Sequence, residues 1–434
     1  MTVSPPINAG AFPDAAGPAA GVVWPHNDYS RVPYRVYHDR ALYERELDRV
    51  FRGPAWSLLG LDCEIPNPGD FRATWIGDTP VIYNRDRDGA VHAFVNRCAH
   101  RGALVRREAA GNAENHTCIY HQWCYTLDGS LTSIPFRRGV KGKGGLDRSF
   151  DLGAHSLRRL KVDSVAGALF GTFADAPEPL RAYLGPPVLA QIERLFQRPI
   201  RVLGYHRQRI NGNWKLYAEN TRDNYHASLL HDFLRTFGVD RVTQTGGVTM
   251  DARHRHNITW AEAASDTAEF ADDMYNQANI SNEAPRLRDR SVVAFRSEHP
   301  DQLNLAVTSV FPNSVFVQIN NSLATRQIRP KGVDCHEVFQ TLIGYADDDD
   351  ATTAYRLRQA NLVGPAGYVS MEDGEAIEIV HRASRPQIDG ATVIEMGGGG
   401  PITDRDYRVT DVPLRGFWSY YAELMGIEPA GAVR

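Results

Sequence analysis

Cysteine is scarce in this chain, with five in 434 residues, an odd number that argues against a disulfide scaffold and leaves thiols available as metal ligands. Basic runs interleaved with aromatics are missing as well, and the formal charge is −4, so the composition marks neither a nucleic-acid partner nor an anionic membrane surface. No apolar run approaches the roughly 18 residues of a membrane span. The opening MTVSPPINAGAFPDAAGPAAG lacks the basic start and apolar stretch of a secretory signal, so the expected compartment is the cytoplasm. What is present is 42% hydrophobic residues, enough for two domains and, by default, a role on a small molecule.

The first residues are rich in Ala, Pro and Gly without apolar periodicity, and an arm is expected over 1–40. Leu42, Leu47, Val50 and Phe51 recur at helical spacing up to the Gly53-Pro54 stop. Short β-rich runs such as TPVIYNR, AVHAFVNR and GALFGTF follow, separated by NPGD, DRDG and LDGS, which predicts an all-β domain over 41–180. A second domain over 181–434 is predicted to combine antiparallel strands with helices. Its alternating strand IRVLGYHRQRI turns at Asn211-Gly212-Asn213 and becomes helical from Trp214, and a later helical stretch breaks at Gly364-Pro365. The fold class is therefore α+β.

Residues 98–125 carry the first constellation, a C-x-H pair at Cys98 and His100 and a C-x-x-H pair at Cys118 and His121. Structural zinc sites commonly take two cysteines from one knuckle and two histidines from a helix, whereas here each turn offers one of each. A mixed pairing suits two metals, as in a Rieske [2Fe-2S] centre, where two thiolates hold one iron and two imidazoles the other. Arg101 and Gly102 after the first pair, with Trp123 and Tyr125 after the second, complete the pattern. Cys63, Cys124 and Cys335 are expected to be small core residues.

The second constellation is His226 and His231, five residues apart in ENTRDNYHASLLH. A bend or a helix end between them would let both reach one ion. Two histidines and a carboxylate on one face of iron(II) leave coordination positions open for oxygen and substrate. SMEDGEAIEIV supplies the carboxylate, with Asp373 preferred and Glu372 as the alternative. The competing reading makes the pair only acids in a helix first turn.

With these motifs, the chain from about Arg31 onward resembles the large (alpha) subunits of Rieske non-haem iron aromatic-ring-hydroxylating oxygenases. GDFRATWIGDTPVI, GPAGYVSMEDG and VIEMGG are most similar to members acting on terephthalate, with those acting on salicylate and anthranilate next. The resemblance implies an N-terminal Rieske domain and a catalytic domain of helix-grip type. It implies an α3β3 assembly with a small (beta) subunit, and electrons from NAD(P)H through a reductase, with or without a ferredoxin. It also implies that Asp223 bridges the iron to the cluster of the next subunit, where a carboxylate would fix the tautomer of its histidine partners.

A benzoate-type substrate needs a cation in an apolar pocket, and Arg326 and Arg408 match positions that resemble those gripping the two carboxylates of terephthalate. The resulting expectation is cis-dihydroxylation of an aromatic carboxylate, terephthalate first, with a salicylate 5-hydroxylase or anthranilate dioxygenase role as the alternative. The rival from another class is a non-catalytic Rieske electron carrier with a binding domain.

Overall fold

A computed structural model of the chain describes residues 22–263, 287, 289–364 and 368–428. It forms two units, one of Phe51–Pro177 and one that joins the described part of Gly17–Val50 to that of Glu178–Arg434.

The first unit is built from three small antiparallel sheets. One joins Lys161–Val165, Ala168–Thr172 and Ser57–Leu61, and a second runs in the order Val91–Val95, Thr79–Arg85, Asp70–Ile76, Ala110–Asn112. The third, His116–Thr117, Cys124–Tyr125 and Leu131–Ser133, carries the second cysteine–histidine turn between its first two strands. Phe71, Ile82, Phe94, Val105, Trp123 and Leu131 close a core around Cys98 and Cys118.

In the second unit seven strands pair antiparallel in the order Ile200–Ile210, His336–Tyr345, Ser322–Pro330, Ser314–Ile319, Leu303–Val310, Asn257–Glu262, Gly246–Met250. Ser322–Pro330 is buried along its whole length, which fits a central strand covered on both faces. Helices Trp214–Asn220 and Asp350–Val363 pack against it. The core beside it is Val315, Val317, Ala324 and Leu342 against Ala360 and Val363. Asn213 caps Trp214–Asn220 by accepting from the Lys215 amide, so the turn that follows the alternating strand also starts the helix that leads into the histidine motif.

The N-terminal segment departs from expectation. In its described part the arm is built into the second unit: Trp24 is fully buried against Trp418, and Arg31–Pro33 pairs with Ala391–Val393. Residues 41–50 also belong to the second unit rather than to the β-rich one. The reason is Glu46, whose buried carboxylate accepts from Trp214 Nε1, Lys215 Nζ and Tyr421 OH at 2.8, 2.6 and 2.5 Å. A carboxylate with three charge-assisted or polar donors is satisfied there and nowhere on its own helix. Of the three remaining cysteines only Cys335 is buried; Cys63 and Cys124 are partly exposed. The helix break lies between Val363 and Val369, and Pro365 falls outside the described residues. No described helix is long and apolar enough to cross a membrane.

Candidate active site

The two turns that present Cys98, His100, Cys118 and His121 share one hydrogen-bond scheme. The Cys98 amide donates to Ala103 O at 2.8 Å and the Gly102 amide to Cys98 O at 3.0 Å; likewise Cys118 donates to Trp123 O and Gln122 to Cys118 O, both at 2.9 Å. Each turn needs a left-handed residue four places after its cysteine. Gly102 supplies it at φ +74°, whereas Gln122 adopts φ +56° against the usual steric preference.

Both thiols are buried while the His100 and His121 rings lie at the edge, 4.5 Å apart between centroids. Trp123 stacks on His100 at 4.8 Å with the planes 2° apart. Tyr125 OH lies 3.2 Å from Cys98 Sγ while accepting from the Ala99 amide. Burial pushes the Cys98 thiol up, and the neighbouring Cys118 adds to this. Two buried thiols, beside a His121 whose buried Nδ1 has no hydrogen-bond partner, fit a cationic metal group in place of protons.

In the second unit His226 precedes the single turn Ala227–Leu230, and His231 sits at the junction with Asp232–Thr236. The His231 backbone, φ −87° and ψ 77°, breaks the helix there and brings both rings to one side. Asp373 comes from the first turns of helix Val369–Ser384. Its Oδ1 lies 3.4 Å from His226 Nε2 and 3.2 Å from His231 Nε2, and the three residues offer ligand atoms all within 4.8 Å of one another.

Burial opposes a charged His226 ring, but Asp223 and Asp373 outweigh it and raise the ring to about 10. Against the burial that would raise it, the two histidines hold the Asp373 carboxyl far below the ordinary carboxylate range. A triad that must borrow protons to balance its own charge is a donor set fitted to a divalent ion.

Glu372, the alternative ligand, faces elsewhere: its Oε2 is 2.7 Å from His231 Nδ1. The competing first-turn reading does not describe Asp373, which is buried among the two rings. Asn220 escaped the sequence reading; its Nδ2 donates to Asp373 Oδ1 at 2.9 Å, and its place in ENTRDNYH was the available signal.

Asp223 Oδ2 is 3.6 Å from His226 Nδ1, a charge contact too long for a hydrogen bond. Near it are two further carboxyls, Glu219 part-buried and Asp411 buried, both raised by desolvation first and by Asp223 in addition: Glu219 to about 7 and Asp411 to about 6. Glu219 accepts from Tyr37 OH at 2.7 Å and Trp418 Nε1 at 2.6 Å.

The two arginines part company. Arg326 is buried on Ser322–Pro330, with Nε on Gln340 Oε1 at 3.0 Å and Nη1 on Tyr217 OH at 3.2 Å. Among the described residues no carboxylate pairs with it. Burial raises the Tyr217 hydroxyl, and the charges of Arg326 and Asp373 act on it in opposite senses. Arg408 is instead locked to Asp240 at 2.5 Å and to the Arg241 carbonyl, both side chains of the ion pair being buried. Among the described residues, the partners of the Arg408 guanidinium are Asp240 and the Arg241 carbonyl, where the sequence led us to expect a second substrate anchor. Phe233, Leu234, Val239, Leu362 and Val363, together with Asn320 and Gln359, line a small, partly open cleft.

Comparisons with known proteins agree with both halves. A Rieske [2Fe-2S] domain model matches residues 55–143, and a ring hydroxylating alpha subunit (catalytic domain) model matches 198–425. The chain is 46% identical to the anthranilate 1,2-dioxygenase large subunit of Burkholderia cepacia over 98% of its length and 99% of that protein. It is 41% identical to a terephthalate 1,2-dioxygenase terminal oxygenase component subunit alpha of a Comamonas species, covering 94% and 98%. In fold it is similar to naphthalene 1,2-dioxygenase from a Rhodococcus species, with TM-score 0.76 at 22% identity over 91% of this chain and 94% of that one. The catalytic-domain match removes the carrier alternative.

Proposed function

Because the chain belongs to the ring-hydroxylating alpha-subunit family, an oxidoreductase family whose cofactors are a Rieske [2Fe-2S] cluster and a mononuclear iron, we propose that it is the large subunit of a terminal oxygenase acting on an aromatic ring with a single carboxylate, anthranilate first. Cys98, His100, Cys118 and His121 hold the cluster; His226, His231 and Asp373 hold the iron. When bound, the iron supplies O2 activation and the cluster delivers electrons drawn from NAD(P)H through a reductase.

The observation that carries the substrate class is the contrast between the arginines. Arg326 is a buried cation without an acid among the described residues, held flat by Gln340 and Tyr217 and so ready for a bidentate carboxylate. Arg408 is already neutralised by Asp240, which leaves a para-dicarboxylate such as terephthalate without its second grip. An aromatic ring held this way needs apolar surroundings that exclude water around the reacting carbons. The product is a ring hydroxylated on one face at positions set by the pinned carboxylate. Asp223 links His226 to the cluster of a neighbouring subunit in an α3β3 assembly with a small subunit.

Steady-state kinetics with anthranilate test the grip. Arg326→Ala removes a charge-assisted contact worth ~2 kcal/mol, so KM should rise by roughly thirtyfold. An unchanged KM in a variant with full metal content would remove Arg326 from the site.

A further inference from the structure

A second group of metal-ligating side chains lies outside the iron triad. His38 ends the short helix Arg35–His38, Asp334 lies in the connection between strands Ser322–Pro330 and His336–Tyr345, and His381 is in the last turn of Val369–Ser384. Their ligand atoms also fall within 4.8 Å of one another. We propose that His38, Asp334 and His381 form a structural site for a divalent transition ion, zinc(II) by its chemistry, that fastens the far end of the helix carrying Asp373 to the N-terminal segment.

His381 Nε2 is 2.9 Å from Asp334 Oδ1, and His38 Nε2 is 2.9 Å from Ser384 Oγ, yet the Nδ1 atom of each ring is buried without a hydrogen-bond partner. His381 itself is only 5% exposed. Two imidazole rings 4.5 Å apart beside one carboxylate gather two nitrogen donors and an anionic oxygen at one place. Two imidazoles, one carboxylate and the adjacent Ser384 hydroxyl or a water make a four-coordinate set of the borderline-soft donors that zinc(II) takes.

Ligand atoms around one zinc stand about 3.3 Å apart, so His381 and Asp334 are nearly placed and the His38 ring is the one that turns. Arg385 shares Asp334 Oδ1. Both of those side chains are about half exposed, which lets the guanidinium leave for solvent as the ion takes its place.

The position gives the ion a task. Asp373 near the start of Val369–Ser384 and His381 near its end are eight residues apart, and only the N-terminal portion of the helix faces the iron triad. Pinning the other end limits how far Asp373 can drift.

The test uses the full chain with cluster and iron loaded, incubated with zinc(II), desalted, and assayed for zinc and iron per chain alongside thermal unfolding. One retained zinc with iron unchanged and a raised Tm is expected in the wild type, with that zinc lost in both His38→Gln and His381→Gln. Asp334→Asn, a near-isosteric change at a half-exposed position, must weaken zinc binding at least tenfold and serves should a histidine variant fail to fold. No retained zinc, zinc retained equally by the variants, or zinc gained only as iron is lost would each overturn the proposal.

Discussion

His231 Nδ1 and Glu372 Oε2 stand 2.7 Å apart, so the residue next to the iron-site carboxylate Asp373 braces a histidine of the same triad. A ring that donates from Nδ1 presents the lone pair of Nε2, and Nε2 is the atom that faces Asp373. Two consecutive acids therefore take different tasks. Glu372→Ala should weaken iron binding by about 10–100-fold, Glu372→Gln should recover part of the loss, and Asp373→Ala should abolish binding. Iron retained per chain under chelator competition, with cluster absorbance as the internal control, reads all three. Full iron retention in Asp373→Ala would reverse the assignment.

Asp223→Asn should leave both metal centres filled yet slow product formation by roughly 10–100-fold, because the carboxylate beside His226 is replaced by a neutral amide of the same shape. The decisive comparison is product formed per reduced, metal-replete chain. Turnover equal to wild type would show that the charge does not matter.

Arg408→Ala should act on stability and not on substrate binding. It strands Asp240, whose side chain is fully buried, and breaking such a pair costs about 3–5 kcal/mol. Denaturant unfolding should show that loss, while KM of the surviving folded enzyme stays within about twofold, within the scatter of effects from a residue that does not touch the ligand. A large KM increase with stability intact would return Arg408 to the substrate pocket.

Glu219 should make the second unit less stable as pH rises. Its folded-state pKa of about 7 lies above its ordinary value of 4.5, so between these values the folded chain binds more protons than the unfolded one. The carboxyl then costs nothing below pH 4.5, and its burial penalty grows to on the order of 3 kcal/mol above pH 7. Glu219→Gln removes that term while a side-chain oxygen can still accept from Tyr37 and Trp418. Its Tm relative to wild type should therefore improve from pH 5 to pH 8; a pH-independent difference would contradict the raised pKa.

What could be read from the sequence was local. Cys98 with His100 and Cys118 with His121 are two and three residues apart, and each pair sits on one tight turn whose hydrogen bonds close within six residues, so spacing carried the geometry. His226 and His231 were likewise legible, because a helix end between them was the condition for convergence and His231 meets it. Long-range partners left no such trace. Asp240 lies 168 residues before Arg408, and nothing around either position signals that the guanidinium is already taken. Glu46 was invisible for the same reason, since the three donors that draw residues 41–50 into the second unit are 168 to 375 positions away.

The most direct test is a single turnover of the reduced, iron-loaded protein with O2 and equal amounts of anthranilate, salicylate and terephthalate, with products resolved by mass. The account predicts oxidation of a monocarboxylate, anthranilate foremost, and its loss in Arg326→Ala. A product from terephthalate alone would contradict the one-arginine site and require a second cation that the described residues do not place beside the iron triad.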